Sequence, residues 1–344
     1  MSRTELVAVI IPTKNRPELL GEAIASAQQQ THAPAEIIVV DDGSTVPVDE
    51  AELRARHGPR IRVLRNAVSQ GLAYSRNRGV EACTADYIIH LDDDDLLSPT
   101  AIEECLHAAH AHPGVEVWFI GVKGFGPYSD HFNAVQPAGV SHVCAEARGQ
   151  QRAFDIILFD QGLFPALLHS VPMAFQRVFT KPGIWAKVSL LRWRAYMAGN
   201  DLLELSAAKH AITGTLRDSE WARYAATISR ATGLIDKALY LQRCGGQGYS
   251  SQAGNIEKHL QQGVAMMDQM LNASNMLPEL SQWKREIREG LAQAHFDISY
   301  HYAQTGDRLA AWRHLRKSVS LKPAVRDVRL ALRLCAGRAS RNSA

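Results

Sequence analysis

The sequence predicts an α/β domain, a mostly parallel sheet flanked by helices, followed by a small all-helical domain. Three observations lead there. Short apolar, β-rich runs alternate with helical stretches over the first 120 residues, the pattern of strand–helix–strand units. Three of those runs stop in polar clusters: Thr13 to Arg16, Asp41-Asp42, and Asp92 to Asp95. Past about Ser251 the strand-like runs vanish and helical periodicity takes over.

Val7-Ala8-Val9-Ile10-Ile11 is short, apolar and stopped by Pro12, as a buried strand should be. Pro17 suits the first turn of a helix, with Glu18 at its positive end. Leu19, Leu20, Ile24 and Ala27 then follow at helical spacing. Glu36 to Val40 is a second strand, closed by Asp41-Asp42-Gly43-Ser44, and Ile61 to Leu64 is a third. Leu72 to Ala82 reads as helix, and Tyr87 to Leu91 as a fourth strand ending in the aspartates. Ser98-Pro99 has the form of an N-cap and first helical residue, opening a helix to about His110, and Val115 to Val122 is a further strand. Residues 123–200 mix glycine, proline and aromatics and predict irregular structure with a few strands and helices. The boundary falls near residues 250–256, giving domains 1–252 and 253–344.

Composition narrows the function. Apolar residues make up 46 % of 344, enough for two cores, and a net charge of +3 gives no bulk signal for nucleic acid. Five cysteines, Cys83, Cys105, Cys144, Cys244 and Cys335, are odd in number and have no C-x-x-C pair. They predict neither a disulfide framework nor a zinc site, and fit a reducing, cytoplasmic setting. The first apolar run is too short for a signal peptide. No run reaches the roughly 18 apolar residues of a membrane span.

The strongest chemical signal is Asp92-Asp93-Asp94-Asp95. Neighbouring carboxylates about 5 Å apart repel by roughly 3 kcal/mol at an effective dielectric near 20, and a cation removes that cost. Hard divalent ions prefer carboxylate and phosphate oxygens, and Mg²⁺ is usually held by one or two carboxylates plus substrate phosphates. In an extended chain residues i and i+2 point the same way, so Asp92 and Asp94 are the expected ligands of Mn²⁺ or Mg²⁺. Asp93 then faces elsewhere, and Asp95 is free to cap the next helix. In an open parallel sheet, ligands bind outside the carboxyl ends of the strands, where all three polar clusters fall.

Four segments in this order resemble the nucleotide-binding half of the family 2 glycosyltransferases. They are Val9 to Arg16, Ile37 to Ser44, Gly71 to Gly79 (containing Ser75-Arg76-Asn77) and Leu91 to Asp95. The resemblance implies the GT-A fold and a nucleotide-diphosphate sugar donor, of UDP type. It implies that Pro12, Thr13, Asn15 and Arg16 line the nucleoside pocket and that Asp41 or Asp42 accepts hydrogen bonds from the base. Arg76 would lie near the diphosphate, Asp93 beside the donor, and Asp92 and Asp94 would be the metal pair. The family also carries an acidic pair before an aromatic residue. The nearest match here is Asp218-Ser219-Glu220-Trp221. Aligning the tryptophans makes Glu220 the catalytic base, with Asp218 one residue out of register; either acid could reach from a helix start. Arg243-Cys244-Gly245 is similar to the family's late Arg-x-His segment but lacks the histidine.

Phe296 to Ala303, then Gly306-Asp307, then Ala310 to Leu315 read as a helix, a tight turn and a second helix of tetratricopeptide type. The end of the chain is basic: Arg308, Arg313, Arg316, Lys317, Lys322, Arg326, Arg329, Arg333, Arg338 and Arg341 stand against Asp327, with Leu330, Leu332 and Leu334 between. This suits peripheral contact with an anionic membrane at its inner face. The aromatic interleaving of single-strand nucleic-acid binders is missing.

Together these features predict a metal-dependent inverting glycosyltransferase acting on a glycan, glycolipid or protein hydroxyl, in bacterial polysaccharide or lipopolysaccharide assembly, with a homodimer compatible. The alternative is a catalytically degenerate scaffold, which the imperfect acidic pair favours. A nucleotidyltransferase is disfavoured because Pro12-Thr13-Lys14-Asn15 is not a glycine-rich phosphate loop.

Overall fold

The computed structural model describes residues 5–153, 155–160, 162–198, 218–245 and 255–335. The expected 252/253 boundary, Asp218's side chain, Arg338 and Arg341 lie outside what is described. The chain divides into two compact units, the first running to Gly245 with Ala195–Gly199 assigned to the second.

The first unit is built on one sheet of ten strands among the described residues. They are β1 (Val7–Thr13), β2 (Glu36–Asp41), β3 (Ile61–Arg65), β4 (Tyr87–His90), β5 (Leu96–Leu97), β6 (Val117–Phe125), β7 (Gln150–Ala153), β8 (Ile156–Phe159), β9 (Val178–Thr180) and β10 (Thr232–Arg243). Their order is β3-β2-β1-β4-β9-β6-β10-β8-β7, with β5 paired to β10. The half from β3 to β4 is parallel, as the alternation of strands and helices requires. Beyond β4 the sheet is mixed: β9 is antiparallel to both β4 and β6, while β6 and β10 are parallel.

The helices of the first half are α1 (Pro17–Gln28), α2 (Glu50–His57), α3 (Leu72–Ala82) and α4 (Ala101–Ala111). Leu20, Ile24 and Ala27 of α1 and Ile102, Cys105 and Leu106 of α4 pack with Val9, Ile11, Val39 and Ile89 into one core. Helix α3 packs against β1 and β2 because Gly79 leaves no Cβ; one added there would lie 2.4 Å from Ile10 Cγ2.

Two expectations are corrected. The helix expected from Ser98-Pro99 begins at Ala101, without a side-chain cap bond. Leu96-Leu97 pairs with Tyr240-Leu241 of β10 instead, which keeps the chain extended past the aspartates. Residues 123–200 are also more regular than expected. They hold the 18-residue α5 (Ser129–Glu146), α6 (Leu163–His169), a 3-10 turn at Met173–Gln176 and α7 (Pro182–Met197). Helix α5 carries Pro137 inside it and buries only Val140 and Val143, so its sequence shows little helical period. Helix α8 (Asp218–Ile228) precedes β10.

The second unit holds α9 (Asn255–Ala273), α10 (Pro278–Ser281), α11 (Lys284–Thr305), α12 (Arg308–Leu321) and α13 (Val325–Cys335). Helices α11 and α12 form the expected hairpin. Gly306 ends α11 at φ 93°, a left-handed conformation that glycine adopts without strain. Asp307 caps α12 by accepting from Ala310 N at 2.9 Å. Ala311, Leu315, Leu330 and Leu334 form a small core. Leu332, between the buried Leu330 and Leu334, is exposed, since positions two apart do not share one side of a helix. Among the described residues no helix is long and apolar enough to cross a membrane.

Candidate functional site

Strand β1 pairs with β2 on one side and β4 on the other. Chain connections leave β1 and β4 in opposite directions at this point, the crevice where open parallel sheets bind ligands. Thr13, Asp41 and the aspartate run all fall here, at the carboxyl ends of β1, β2 and β4.

The run does not continue as a strand. Asp95 N donates to Asp92 O at 3.1 Å, so the four residues form a turn. The alternation expected of an extended chain is therefore lost, and the carboxylates sort into different pairs. Asp92 and Asp95 share Arg177, at 3.1 and 3.4 Å. Asp93 and Asp94 share Arg16, at 3.1 and 2.9 Å. Asp93, expected to face away, also accepts from Thr13 Oγ1 at 2.7 Å. Asp95 does not cap α4: its Oδ1 accepts from Arg243 N at 2.7 Å.

Asp92 is held from three sides. Arg76 Nη2 meets its Oδ1 at 2.6 Å, Arg177 meets Oδ2, and its backbone N–H donates to Tyr240 Oη at 3.0 Å. Burial works against its ionisation, but Arg177 and Arg76 outweigh burial and hold the carboxyl at about 2. Asp95 differs: burial dominates and pushes it up to about 7. Burial also raises Asp93. Asp94 is the most open of the four, with 30 % of its side chain exposed. Arg243, on β10, donates from Nε to Asp94 O at 2.8 Å. Its segment therefore reaches the run although the histidine is absent.

These oxygens are the hard donors that Mg²⁺ or Mn²⁺ prefers. Asp94 fits such an ion best, because Arg16, the arginine on its carboxylate, is itself partly exposed. Asp92 offers a carboxylate whose two oxygens already meet arginines. Among the described residues no three His, Cys, Asp or Glu side chains converge into a cage, so an ion here would also draw on ligand phosphates.

The loops after β1 and β2 are tied together. Asn15, at φ 56°, donates its backbone N–H to Ser44 Oγ at 2.9 Å and accepts from Thr45 N at 2.8 Å. Thr13, Asn15 and Arg16 line a cleft with Ser44, Val46 and Val48; Pro12 is buried just behind them in β1. Asp41 accepts from Ser44 N and Val48 N and pairs with Arg65. Asp42 accepts from Asn66 Nδ2 (2.7 Å), Ser69 Oγ (2.6 Å), Gln70 N (2.8 Å) and Gly71 N (2.9 Å). Burial opposes both carboxylates, and these donors outweigh it, so both lie below the usual carboxylate range. Four donors fill an ionised carboxylate, so Asp42 anchors the loop into α3; Asp41 is likewise buried and held by Ser44, Val48 and Arg65. Asp42→Ala is expected to cost about 3 kcal/mol in urea unfolding, since buried donors lose their acceptor. An unchanged midpoint would show the loop is held by other means.

Each residue of the Ser75-Arg76-Asn77 triplet meets a different element. Ser75 Oγ accepts from Asn66 Nδ2 at 3.1 Å, Arg76 pairs with Asp92, and Asn77 Oδ1 accepts from Trp185 Nε1 at 2.8 Å. Trp185 stacks on Trp221 at 4.5 Å and leans on His90 at 4.1 Å. Burial, with Arg76 nearby, depresses His90 well below its usual range and keeps it neutral. These three rings, Arg76 and Arg177 wall a small cavity. Glu220, beside Trp221 in α8, is buried and pairs with Arg192 at 3.5 Å. Burial lowers Arg192 to about 10, against the pull of Glu220. Asp218 is the first residue of the same helix.

Sequence reasoning missed Arg177, Tyr240, Trp185 and Arg192. A signal existed for two: Arg177 stands alone between Phe175 and Phe179, and Arg192 follows Leu190-Leu191. A cation inside an apolar run is rarely buried without a partner.

The family model "Glycosyl transferase family 2" matches residues 8–162. The uncharacterized glycosyltransferase YibD of Escherichia coli is 36 % identical over 110 residues, covering 32 % of this chain and 32 % of YibD. The O-antigen biosynthesis protein RfbC of Myxococcus xanthus is 34 % identical over 127 residues, covering 36 % of this chain and 10 % of RfbC. The chain thus spans about a third of one relative's length and a tenth of the other's. Among solved structures, S. aureus TarS 1-349 in complex with UDP-GlcNAc superposes with a TM-score of 0.53 at 14 % identity, over 94 % of this chain and 91 % of that one. That likeness is one of fold. Residues 8–162, which carry the aspartate run with Arg16, Asp41, Asp42 and Arg76, match the glycosyl transferase family 2 model, and the fold is GT-A.

Proposed function

We propose that this protein is a metal-dependent, inverting glycosyltransferase. It moves a sugar from a nucleotide-diphosphate donor of UDP type to a hydroxyl of a glycan, glycolipid or protein. The observation that carries the reading is the convergence of Arg16, Arg76, Arg177 and Arg243 on the aspartate run at the carboxyl edge of the sheet. The crystal of TarS with UDP-GlcNAc supports the donor class. The name of RfbC supports a polysaccharide setting. Five cysteines with no disulfide between them fit a cytoplasmic one.

The acceptor oxygen bonds to the anomeric carbon from the side opposite the diphosphate, which inverts that carbon. The bond to the diphosphate oxygen breaks, and its electron pair leaves with the nucleotide diphosphate. Glu220 takes the hydroxyl proton, and Arg192 supplies its counter-charge. Arg16 and Arg76 are fixed cations near the run, placed before reaction, which is where electrostatic stabilisation is most effective. Asp94, with Asp92, would hold Mn²⁺ or Mg²⁺, which when bound neutralises charge on the departing diphosphate. Asp41 or Asp42 would read the base, and Asn15 and Thr13 would line its pocket.

The test is nucleotide diphosphate release from a panel of nucleotide-sugars with Mn²⁺ or Mg²⁺. Release should fall roughly 100-fold or more in Asp94→Ala, the scale of losing one key electrostatic group. If the native protein binds no donor in the presence of metal, the proposal fails and a scaffold role replaces it.

A further inference from the structure

Helix α13 (Val325–Cys335) carries apolar side chains on two opposite faces. The inner face seats Leu330 and Leu334 against Ala311 and Leu315. On the outer face Val325 is 71 % exposed, Val328 60 % and Leu332 64 %. Their spacing of three and four residues puts them in one stripe. Arg329 and Arg333 flank that stripe and are exposed; neither makes an ion pair among the described residues.

The acid of this stretch is turned inward. Asp327 is buried and accepts from Ser318 Oγ at 3.0 Å and Ala324 N at 2.8 Å. Other basic residues nearby are engaged: Arg308 donates to Leu334 O, Lys322 pairs with Glu289, and Arg326 lies over Phe296. The outer face is thus apolar and purely cationic.

We propose that this face docks onto the surface of a bilayer containing anionic lipids. The chemistry selects among occupants. A soluble polyanion would satisfy Arg329 and Arg333 but leave the valines and leucine in water. A second copy on a two-fold axis would set arginine against arginine. An anionic bilayer meets both needs: headgroups for the guanidinium groups and an acyl boundary for the stripe. The proposal does not depend on the reaction assigned to the first unit.

The experiment is flotation of the full chain with vesicles of phosphatidylcholine alone and of phosphatidylcholine with phosphatidylglycerol. Binding is expected only to the anionic vesicles and should weaken as salt rises. Arg329→Gln with Arg333→Gln should lower the partition coefficient about 30-fold, the effect of two basic charges near such a surface. Val328→Ser with Leu332→Ser should lower it at least about tenfold. Both pairs are exposed, so helix content by circular dichroism should not change. Failure to bind anionic vesicles overturns the proposal. So does full binding by the serine variant, which would indicate simple polyanion attraction. So does a dimer in solution that the serine variant converts to monomer, or capture of an acidic protein without lipid binding.

Discussion

Replacing Arg177 by methionine is expected to lower the melting temperature by about 10 °C. The guanidinium is buried, bridges Asp92 and Asp95, and lies over the Tyr240 ring at 4.5 Å. Methionine fills much of the volume but brings no charge. Asp92 would keep Arg76, while Asp95 would keep only the backbone N–H of Arg243 among the donors described here. Breaking a buried pair by removing one partner typically costs 3–5 kcal/mol, because the other charge stays behind. In a domain of this size each kcal/mol shifts the midpoint by about 2–4 °C. Thermal unfolding followed by circular dichroism measures it, and a shift under about 2 °C would show that the aspartates do not depend on this cation. Arg177→Lys should recover part of the loss, since one ammonium restores the charge but not the fork that reaches two carboxylates.

The second large effect concerns Glu220. In Glu220→Gln, sugar transfer should fall by about 10²–10⁴-fold, the usual contribution of a general base. Donor affinity should stay within a factor of about three, because Glu220 lies in α8 with Arg192 rather than among the groups that meet the aspartate run. Asp218→Asn should leave transfer near the native rate. Steady-state kinetics with donor binding measured separately decides it. If the asparagine variant is the inactive one, the two acids exchange roles.

The parallel half of the fold was legible because its signals are local. Val7 to Ile11 and Ile37 to Val40 are apolar on both faces, and a strand buried on both faces reads as an unbroken apolar run. The second half was not, because its strands are chosen by partners far away. Leu96-Leu97 is a strand only because Tyr240-Leu241 lies beside it, and β9 is three residues inserted between β4 and β6. Propensity in a short window carries no information about such pairing.

The site divides the same way. That aspartates at a strand end need cations followed from electrostatics alone. Which cations did not: the chain turns at Asp92, and the period-two argument fails where the backbone stops being extended. Arg177, just before β9, and Tyr240, in β10, lie 85 and 148 residues further on, so no spacing rule could have paired them with Asp92.

Four arginines set among four aspartates leave that corner of the molecule near electrical balance before any substrate arrives. A dication alone would upset the balance in one direction, and a nucleotide diphosphate alone in the other. Arriving together, they add little net charge. For the proposed reaction this couples the two ligands: each raises the affinity for the other by the same factor, as linkage demands. Occupancy by donor would then follow the cation supply as closely as it follows the concentration of the sugar nucleotide itself.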